Sequence, residues 1–529
     1  MDKILILDFG SQTTQLIGRR IRDLGVYTEI IPGDSAFEPE ILSRDVKGIV
    51  LSGSPESVYG DGAAPDKQIY TCGLPLLGIC YGLQRMTHDL GGKVEPLPKT
   101  EYGRIDVKIK RTGNSGKIQR FLKGFKDSFT AWMSHGDTLT QLAPGFIEVG
   151  TSGTGYPAVA AHEEKPWFGL QFHPEVTHCE GGGEILGAFV FGVCGCAAEW
   201  NMEHYIEELN QSLKERAGEN PVLLLISGGV DSTVAGAALL KTLKPEQVHL
   251  MYMDTGLMRK NETLIVRANL EKLGAKNLHI IMCEDEFLSA LKGREEPEEK
   301  RRIIGDLFIT IQEREVARLG LPESYFLAQG TLYTDLIESG KGVGKKAHVI
   351  KSHHNVASPL VDAKRRAGKI IEPLDRLYKD EVRRLGRYLG VDEEVTGRHP
   401  FPGPGLAVRI LGEVTREKCA VLREADAIFI EELKLRRGPS GRALYDEIWQ
   451  AFAILLPVRS VGVAGDVRKY GNVLALRAIT SADGMTADVY PFETRDLLEI
   501  STRITNSVKE IGRVTYDISS KPPATIEWE

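Results

Sequence analysis

The chain has 529 residues, 42% hydrophobic and 26% charged, and its 66 Lys and Arg against 73 Asp and Glu give a formal charge of −7. That length exceeds one hydrophobic core and predicts three or four domains, and the balance excludes disordered and collagen-like classes. A mild acidic excess without clustered Lys or Arg carries no electrostatic footprint for nucleic acid or an anionic membrane, so neither is expected as a partner.

No run approaches the ~18–20 apolar residues that span a bilayer. Met1–Asp8 enters a strand pattern directly, without the charged region and cleavage site of a signal peptide. The seven cysteines are odd in number and scattered, which predicts a reducing, cytoplasmic setting rather than a disulfide framework. Glycine is abundant, at 56 residues. That points to tight loops where backbone approaches a ligand closely.

In chain order, Ile4–Phe9, Gly48–Leu51, Leu74–Ile79 and Trp167–Phe172 read as buried strands, with a helix over Gln15–Leu24 among them. An amphipathic stretch, Met202–Glu215, ends at a helix stop before Pro221. A second α/β pattern follows: a strand at Val222–Ile226, a helix over Ser232–Leu243, and strands at Val248–Met253 and Leu278–Met282. Most of the mixed-sign run Glu284–Arg302 reads as a solvated loop and helix face, and Gly340–Lys346 as a mobile flap. Three prolines and two glycines in His399–Gly405 break the pattern and predict a boundary. Beyond it, helices are predicted over Glu417–Leu433, Leu444–Leu455 and Thr494–Ile511, and strands at Val458–Val463, Val473–Ile479 and Val514–Ile518. The expected fold is α/β: two doubly wound α/β domains (1–200 and 201–400), then a smaller α+β domain (401–529).

Two motifs carry chemistry. Gly78-Ile79-Cys80-Tyr81-Gly82 places a thiol where a strand meets a helix; the turn exposes the nucleophile, and the helix N-terminus favours thiolate. Phe172-His173-Pro174-Glu175 supplies a base and, two residues on, a carboxylate to orient it. Ser227-Gly228-Gly229-Val230-Asp231-Ser232-Thr233 lies between a strand and a helix. Its small residues and backbone N–H groups form an anion cradle, without the lysine of a Walker A loop. The Asp231 carboxylate suits a hard cation such as Mg²⁺.

The first motif resembles the class I glutamine amidotransferases over about residues 3–200. The resemblance implies that Cys80 attacks the glutamine side-chain amide with His173 and Glu175 as partners, releasing ammonia. It also implies an oxyanion hole from the backbone of Tyr81 and the loop Ser52-Gly53-Ser54-Pro55, and glutamine held by Met133–Asp137. Ser54 stands where the family has glycine; a serine forced to positive φ there costs about 1 kcal/mol. The second motif resembles the N-type ATP pyrophosphatases, which implies that Ser227–Thr233 binds ATP, with Mg²⁺ as the cofactor. Thr255 and Thr334 depart from that family's pattern, and Gln329-Gly330-Thr331 with Asp335 resembles a further nucleotide-site segment.

Ile350–Val356, His399–Gly405 and the tail Lys521–Glu529 then resemble the glutamine-hydrolysing guanosine monophosphate (GMP) synthetases over essentially the whole chain. That resemblance implies adenylation of xanthosine monophosphate (XMP) at the C2 oxygen by ATP, then amination to GMP. It assigns Arg301, Asp466, Arg468, Lys521 and Glu527 to XMP, and Lys351, His353 and His354 to a lid over the ATP site. It also implies a homodimer formed through the C-terminal domain. An amidation of another acceptor and a catalytically inert sensor are the competing readings. The lid and tail motifs argue against the first, and the intact Cys80, His173, Glu175 and Asp231 against the second.

Overall fold

The computed structural model describes residues 1–37, 43–112, 115–338, 359–464, 467–481 and 486–529. The chain divides into two compact units. The first comprises Met1–Glu208 with the described part of Tyr333–Lys351, and the second Leu209–Leu332 with the described part of Ser352–Glu529.

In the first unit, among the described residues, β1 (Lys3–Asp8), β2 (Tyr27–Pro32), β3 (Val46–Leu51), β4 (Leu76–Ile79), β5 (Lys93–Ile109), β6 (Ser128–Gln141), β7 (Phe146–Ser152), β8 (Pro157–His162) and β9 (Trp167–Leu170) form one sheet, ordered β2-β1-β3-β4-β9-β8-β7-β5-β6. From β2 to β9 every pairing is parallel, and the four predicted strands are β1, β3, β4 and β9. Their near-continuous apolar runs follow from burial on both faces: β4 and β9 are buried throughout. Beyond β9 the sheet turns antiparallel. Helices Thr14–Asp23 and Tyr81–Asp89 pack against this sheet.

The second unit holds a parallel sheet of β10 (Val222–Ile226), β11 (Val248–Asp254), β12 (Asn277–Met282), β13 (Phe326–Ala328) and β14 (Ile370–Ile371), ordered β12-β11-β10-β13-β14. The order reverses between β10 and β13, so a crevice opens at their carboxyl ends, where open α/β sheets bind ligands. A second sheet follows: β15 (Gln450–Ala464), β16 (Val467–Thr480), β17 (Asp488–Val489) and β18 (Ile511–Tyr516), with β15 and β16 an antiparallel pair. One hydrophobic core joins Leu223 and Met251 of the parallel sheet to Phe429 of helix Arg416–Leu435 and to Leu474 of β16.

One local expectation is corrected. The helix expected over Leu444–Leu455 ends at Glu447, and the chain enters β15 three residues later. Ala451–Leu455 is buried throughout, and a continuous apolar run has no period to separate a buried strand from a helix. The run Glu284–Arg302 is solvated for most of its length, as expected, with Phe287, Leu291 and Lys300 the buried exceptions. Lys300 is fully buried, donating to the carbonyls of Ala407, Ile410 and Gly412 at 3.1, 3.0 and 3.2 Å and pairing with the Glu529 carboxylate.

Candidate functional site

Two centres occupy the carboxyl ends of the parallel strands, one in each unit. In the first, β4 ends at Ile79 and helix Tyr81–Asp89 begins two residues later. Cys80 bridges them at φ 51°, a conformation that costs an L-residue roughly 1–2 kcal/mol. The flanking glycines let the helix press onto the sheet. A Cβ on Gly78 would lie 2.6 Å from the Gly82 carbonyl carbon, and one on Gly82 2.3 Å from the Leu51 oxygen.

His173 lies beyond β9. Its Nδ1–H donates to Glu175 Oε1 at 2.7 Å, and Glu175 is fully buried. Burial opposes charge on the ring, but the Glu175 carboxylate and the Cys80 thiol outweigh it, and the imidazole pKa is raised well above its ordinary value. The loop Ser52–Pro55 runs beside this ring: a Cβ on Gly53 would sit 3.2 Å from His173 Cε1. Ser54 is not among the positive-φ residues, and its hydroxyl accepts the Glu56 N–H at 3.1 Å. The backbone strain anticipated for a serine there is absent.

The segment Met133–Asp137 lies within β6 and passes directly over the thiol, which donates to the Ser134 carbonyl at 3.8 Å. The Asp137 carboxylate accepts the Ser57 hydroxyl at 2.7 Å, tying this segment to the loop after Pro55. His135 is buried, with Nε2 2.9 Å from the Glu101 carboxylate. Burial raises the Glu101 pKa, but His135, Thr154 and Ser152 together bring it below the ordinary value. Sequence reading passed over Glu101, Ser57 and Gln171. Gln171 had a local signal: it stands two residues before His173, the spacing that shares a face in extended chain.

In the second centre the loop Ser227–Thr233 joins β10 to helix Val230–Thr242. Gly228 takes φ 78°, which reverses the chain. Ser232 Oγ accepts the Ser227 N–H at 3.2 Å, and Thr233 Oγ1 donates to the Gly229 carbonyl at 2.8 Å. Gly330, after β13, lies against this turn: a Cβ there would be 3.2 Å from the Ser232 nitrogen. Tyr333–Glu338, which carries Thr334 and Asp335, instead groups with the first unit, where the Tyr333 hydroxyl accepts the Ile30 N–H. The Asp231 carboxylate is paired with Lys379 Nζ, 2.6 Å from Oδ1 and 2.5 Å from Oδ2. Lys379 was not singled out from the sequence. It lies 148 positions from Asp231, and no local pattern announces the pairing. Gly256 N–H and the Thr263 hydroxyl donate to the Asp254 carboxylate, fixing the end of β11 beside Thr255.

The tail residues are anchored within the second unit. Glu527 takes a bidentate pair of bonds from fully buried Arg409, at 3.1 and 2.8 Å, and a third from Gln450 at 2.9 Å. Arg301, on helix Pro297–Leu319, donates to the main-chain oxygen of Glu529. Lys521 bridges Ala487 beside a cavity of about 630 Å³ lined by Thr480, Ser481, Thr486 and Asp488. Arg468 is exposed on β16. Asp466, Lys351, His353, His354 and the flap Gly340–Lys346 lie outside the described residues.

Residues 5–193 match the family model for class I glutamine amidotransferases, 204–294 that for asparagine synthase, and 440–528 that for the GMP synthase C-terminal domain. A glutamine-hydrolysing GMP synthase of Aquifex aeolicus is 48% identical over 529 residues, with 99% of each chain covered. One from Chlorobium phaeovibrioides is 48% identical over the full length of both chains, and one from Geobacillus kaustophilus 47%, covering 100% of this chain and 99% of the other. An identity of 48% over essentially the full length decides the matter: the chain belongs to the glutamine-hydrolysing GMP synthase family.

Proposed function

We propose that the glutamine-dependent GMP synthesis of this family is divided here between the two centres, Cys80 releasing ammonia and the Ser227–Thr233 loop activating XMP. The observation that carries the reading is Cys80 held at positive φ on a helix N-terminus, facing a buried His173–Glu175 pair. His173 takes the thiol proton, and Glu175 holds the ring tautomer and supports its charge. The thiolate attacks the glutamine amide carbon. The backbone N–H groups of Tyr81 and of Ser54's loop receive the oxyanion. As this intermediate collapses, His173 gives its proton to the departing nitrogen, the C–N bond breaks and ammonia leaves, and water then hydrolyses the remaining glutamyl thioester.

In the second unit the loop N–H groups and the N-terminus of helix Val230–Thr242 hold ATP phosphates. The XMP C2 oxygen attacks the α-phosphorus, pyrophosphate leaves, and ammonia displaces AMP from C2 to give GMP. Asp231 offers a carboxylate at the loop mouth that would hold Mg²⁺, a hard cation that prefers oxygen ligands. The ion would supply neutralisation of the ATP phosphate charge. Arg301, Asp466, Arg468, Lys521 and Glu527 belong to the XMP site, and Lys351, His353 and His354 to the lid over ATP. The cavity beside Lys521 supports the first assignment.

The functional domains run over 1–200, 201–400 and 401–529. A homodimer forms through the last of these. Its support is an apolar patch on β15 and β16, where Val461, Val463 and Tyr470 are 49, 78 and 58% exposed and Val461 stands opposite Tyr470. Among the described residues no helix is long and apolar enough to cross a membrane. The enzyme works in the cytoplasm on small molecules, without nucleic acid or membrane.

The deciding assay follows AMP, pyrophosphate and GMP with XMP, ATP, Mg²⁺ and either nitrogen donor. In Cys80→Ala, glutamine-dependent GMP formation disappears and ammonia-dependent formation remains. Loss of both would sink the two-centre reading.

A further inference from the structure

The glutaminase centre contains a polar relay beyond Cys80, His173 and Glu175. Gln171 is 1% exposed and presents Nε2 to Cys80 Sγ at 3.8 Å. Its Oε1 accepts from Gln84 Nε2 at 3.4 Å, and that same nitrogen donates to the Asp137 carbonyl at 2.8 Å. The carbonyl decides the polarity of the whole relay, because it can only accept. Gln84 must turn its NH₂ toward Asp137, so Gln171 turns its oxygen toward Gln84. Its own NH₂ is left facing the sulfur. The relay is pinned at its far end as well: His135 Nδ1–H donates to the same Asp137 carbonyl at 2.9 Å. The ring's other nitrogen is 2.9 Å from Glu101.

A neutral thiol gains little from an amide N–H, whereas a thiolate in a buried site gains much more, since a donor bonded to the charged form favours it. Shape alone would not require a glutamine at a site this buried, and an unpartnered amide there is costly. We propose that Gln171 is the hydrogen-bond donor that holds the Cys80 thiolate in line for attack, with Gln84 as the positioning residue that fixes which face of the Gln171 amide meets the sulfur. The proposal rests on Cys80 being the nucleophile.

Two measurements test it on the full-length enzyme: the pH profile of kcat/KM for glutamine, and the pH profile of iodoacetamide inactivation of the glutaminase. Gln171→Met keeps the volume and removes the donor. Its acid limb moves upward by about one pH unit in both profiles, while ammonia-dependent synthesis is unchanged. Gln171→Glu removes the donor and adds negative charge, so its limb moves further up; it decides the matter if the Met variant does not fold. A wild-type enzyme inactivated by iodoacetamide, with unmoved limbs in the variants, overturns the Gln171 proposal alone, even if KM for glutamine rises. A wild-type glutaminase untouched by iodoacetamide overturns the Cys80 assignment and this proposal with it.

Discussion

The two centres keep their charged groups in opposite ways. Around Cys80 the two histidines are buried and already paired within one unit: His173 with Glu175, and His135 with Glu101. Around Asp231 the charges are partly exposed, 30% for Asp231 and 42% for Lys379, and they form a pair in which a cation can compete for the carboxylate and a phosphate for the ammonium. The first centre is therefore assembled before glutamine arrives, and its preorganised dipoles need no rearrangement. On the proposed function, the second is completed by its ligand: a helix N-terminus and a small-residue loop would receive phosphates, and an ion pair stands where a metal and a nucleotide would compete for its two members.

The largest effect breaks the comparison outright. Asp231→Asn removes the charge at the loop and is expected to lower GMP formation by about a hundredfold or more with either nitrogen donor. Cys80→Ala should spare the ammonia route. Steady-state GMP formation with glutamine and with ammonium chloride separates the two patterns; equal losses in both variants would merge the centres into one. Next comes Glu175→Gln, which leaves the His173 ring buried without its anion. By analogy with neutralising the acid of other nucleophile–His–acid triads, glutamine hydrolysis falls by about 10²–10⁴-fold. Glutamate release is the readout, and ammonia-dependent synthesis is the control.

Lys379→Met addresses the other centre. It frees Asp231 and removes one cation beside the phosphate loop, so both donors lose about 10- to 100-fold, with KM for ATP rising. If the loss appeared with glutamine alone, Lys379 would not be serving the nucleotide centre.

The same contrast explains what was legible in the sequence. Cys80, Gly78 and Gly82 form one local motif, and Glu175 follows His173 by two residues, so strand-to-helix geometry and spacing announce the Cys80 elbow and the His173–Glu175 pair, to which the proposed function gives the roles of nucleophile and partners. The loop Ser227–Thr233 was readable for the same reason. Lys379 reaches Asp231 from the start of helix Lys379–Tyr388, and Arg409 reaches Glu527 from a short helical turn. Such pairings are set by tertiary packing, which leaves no local spacing to read. The strand at Ala451–Leu455 was misread as a helix because burial on all sides erases the periodicity that distinguishes the two.

A smaller effect concerns pH. Burial and the neighbouring Glu372 carboxylate push the Asp375 carboxyl up to about 6. A raised folded-state value means that the folded chain binds the proton more tightly than the unfolded chain. The resulting stability is complete below the unfolded value of about 3.9 and is lost as pH rises through about 6. Asp375→Asn, which has no charge to bury, should exceed the wild type in urea stability by about 1–2 kcal/mol at pH 7–8. The gap should close below pH 4. A gap independent of pH would trace the effect to packing rather than charge.

The smallest expected effect sharpens the comparison most finely, because it asks whether the first centre is strained at any point besides Cys80. Ser54 sits in the loop proposed to form the oxyanion hole, where the resemblance leads one to expect glycine, and a serine held at positive φ would gain about 1 kcal/mol on replacement. Here Ser54 is outside the positive-φ region and its hydroxyl accepts the Glu56 N–H. Ser54→Gly therefore relieves nothing, loses that bond and adds unfolded-state freedom, a net cost of about 0.5–1 kcal/mol. Glutamine hydrolysis should stay within about twofold of wild type, since the backbone N–H is common to both residues. A severalfold gain in glutaminase rate would mean that the loop must pass through positive φ when the oxyanion forms. The first centre would then share with the second the property of being finished only by its substrate.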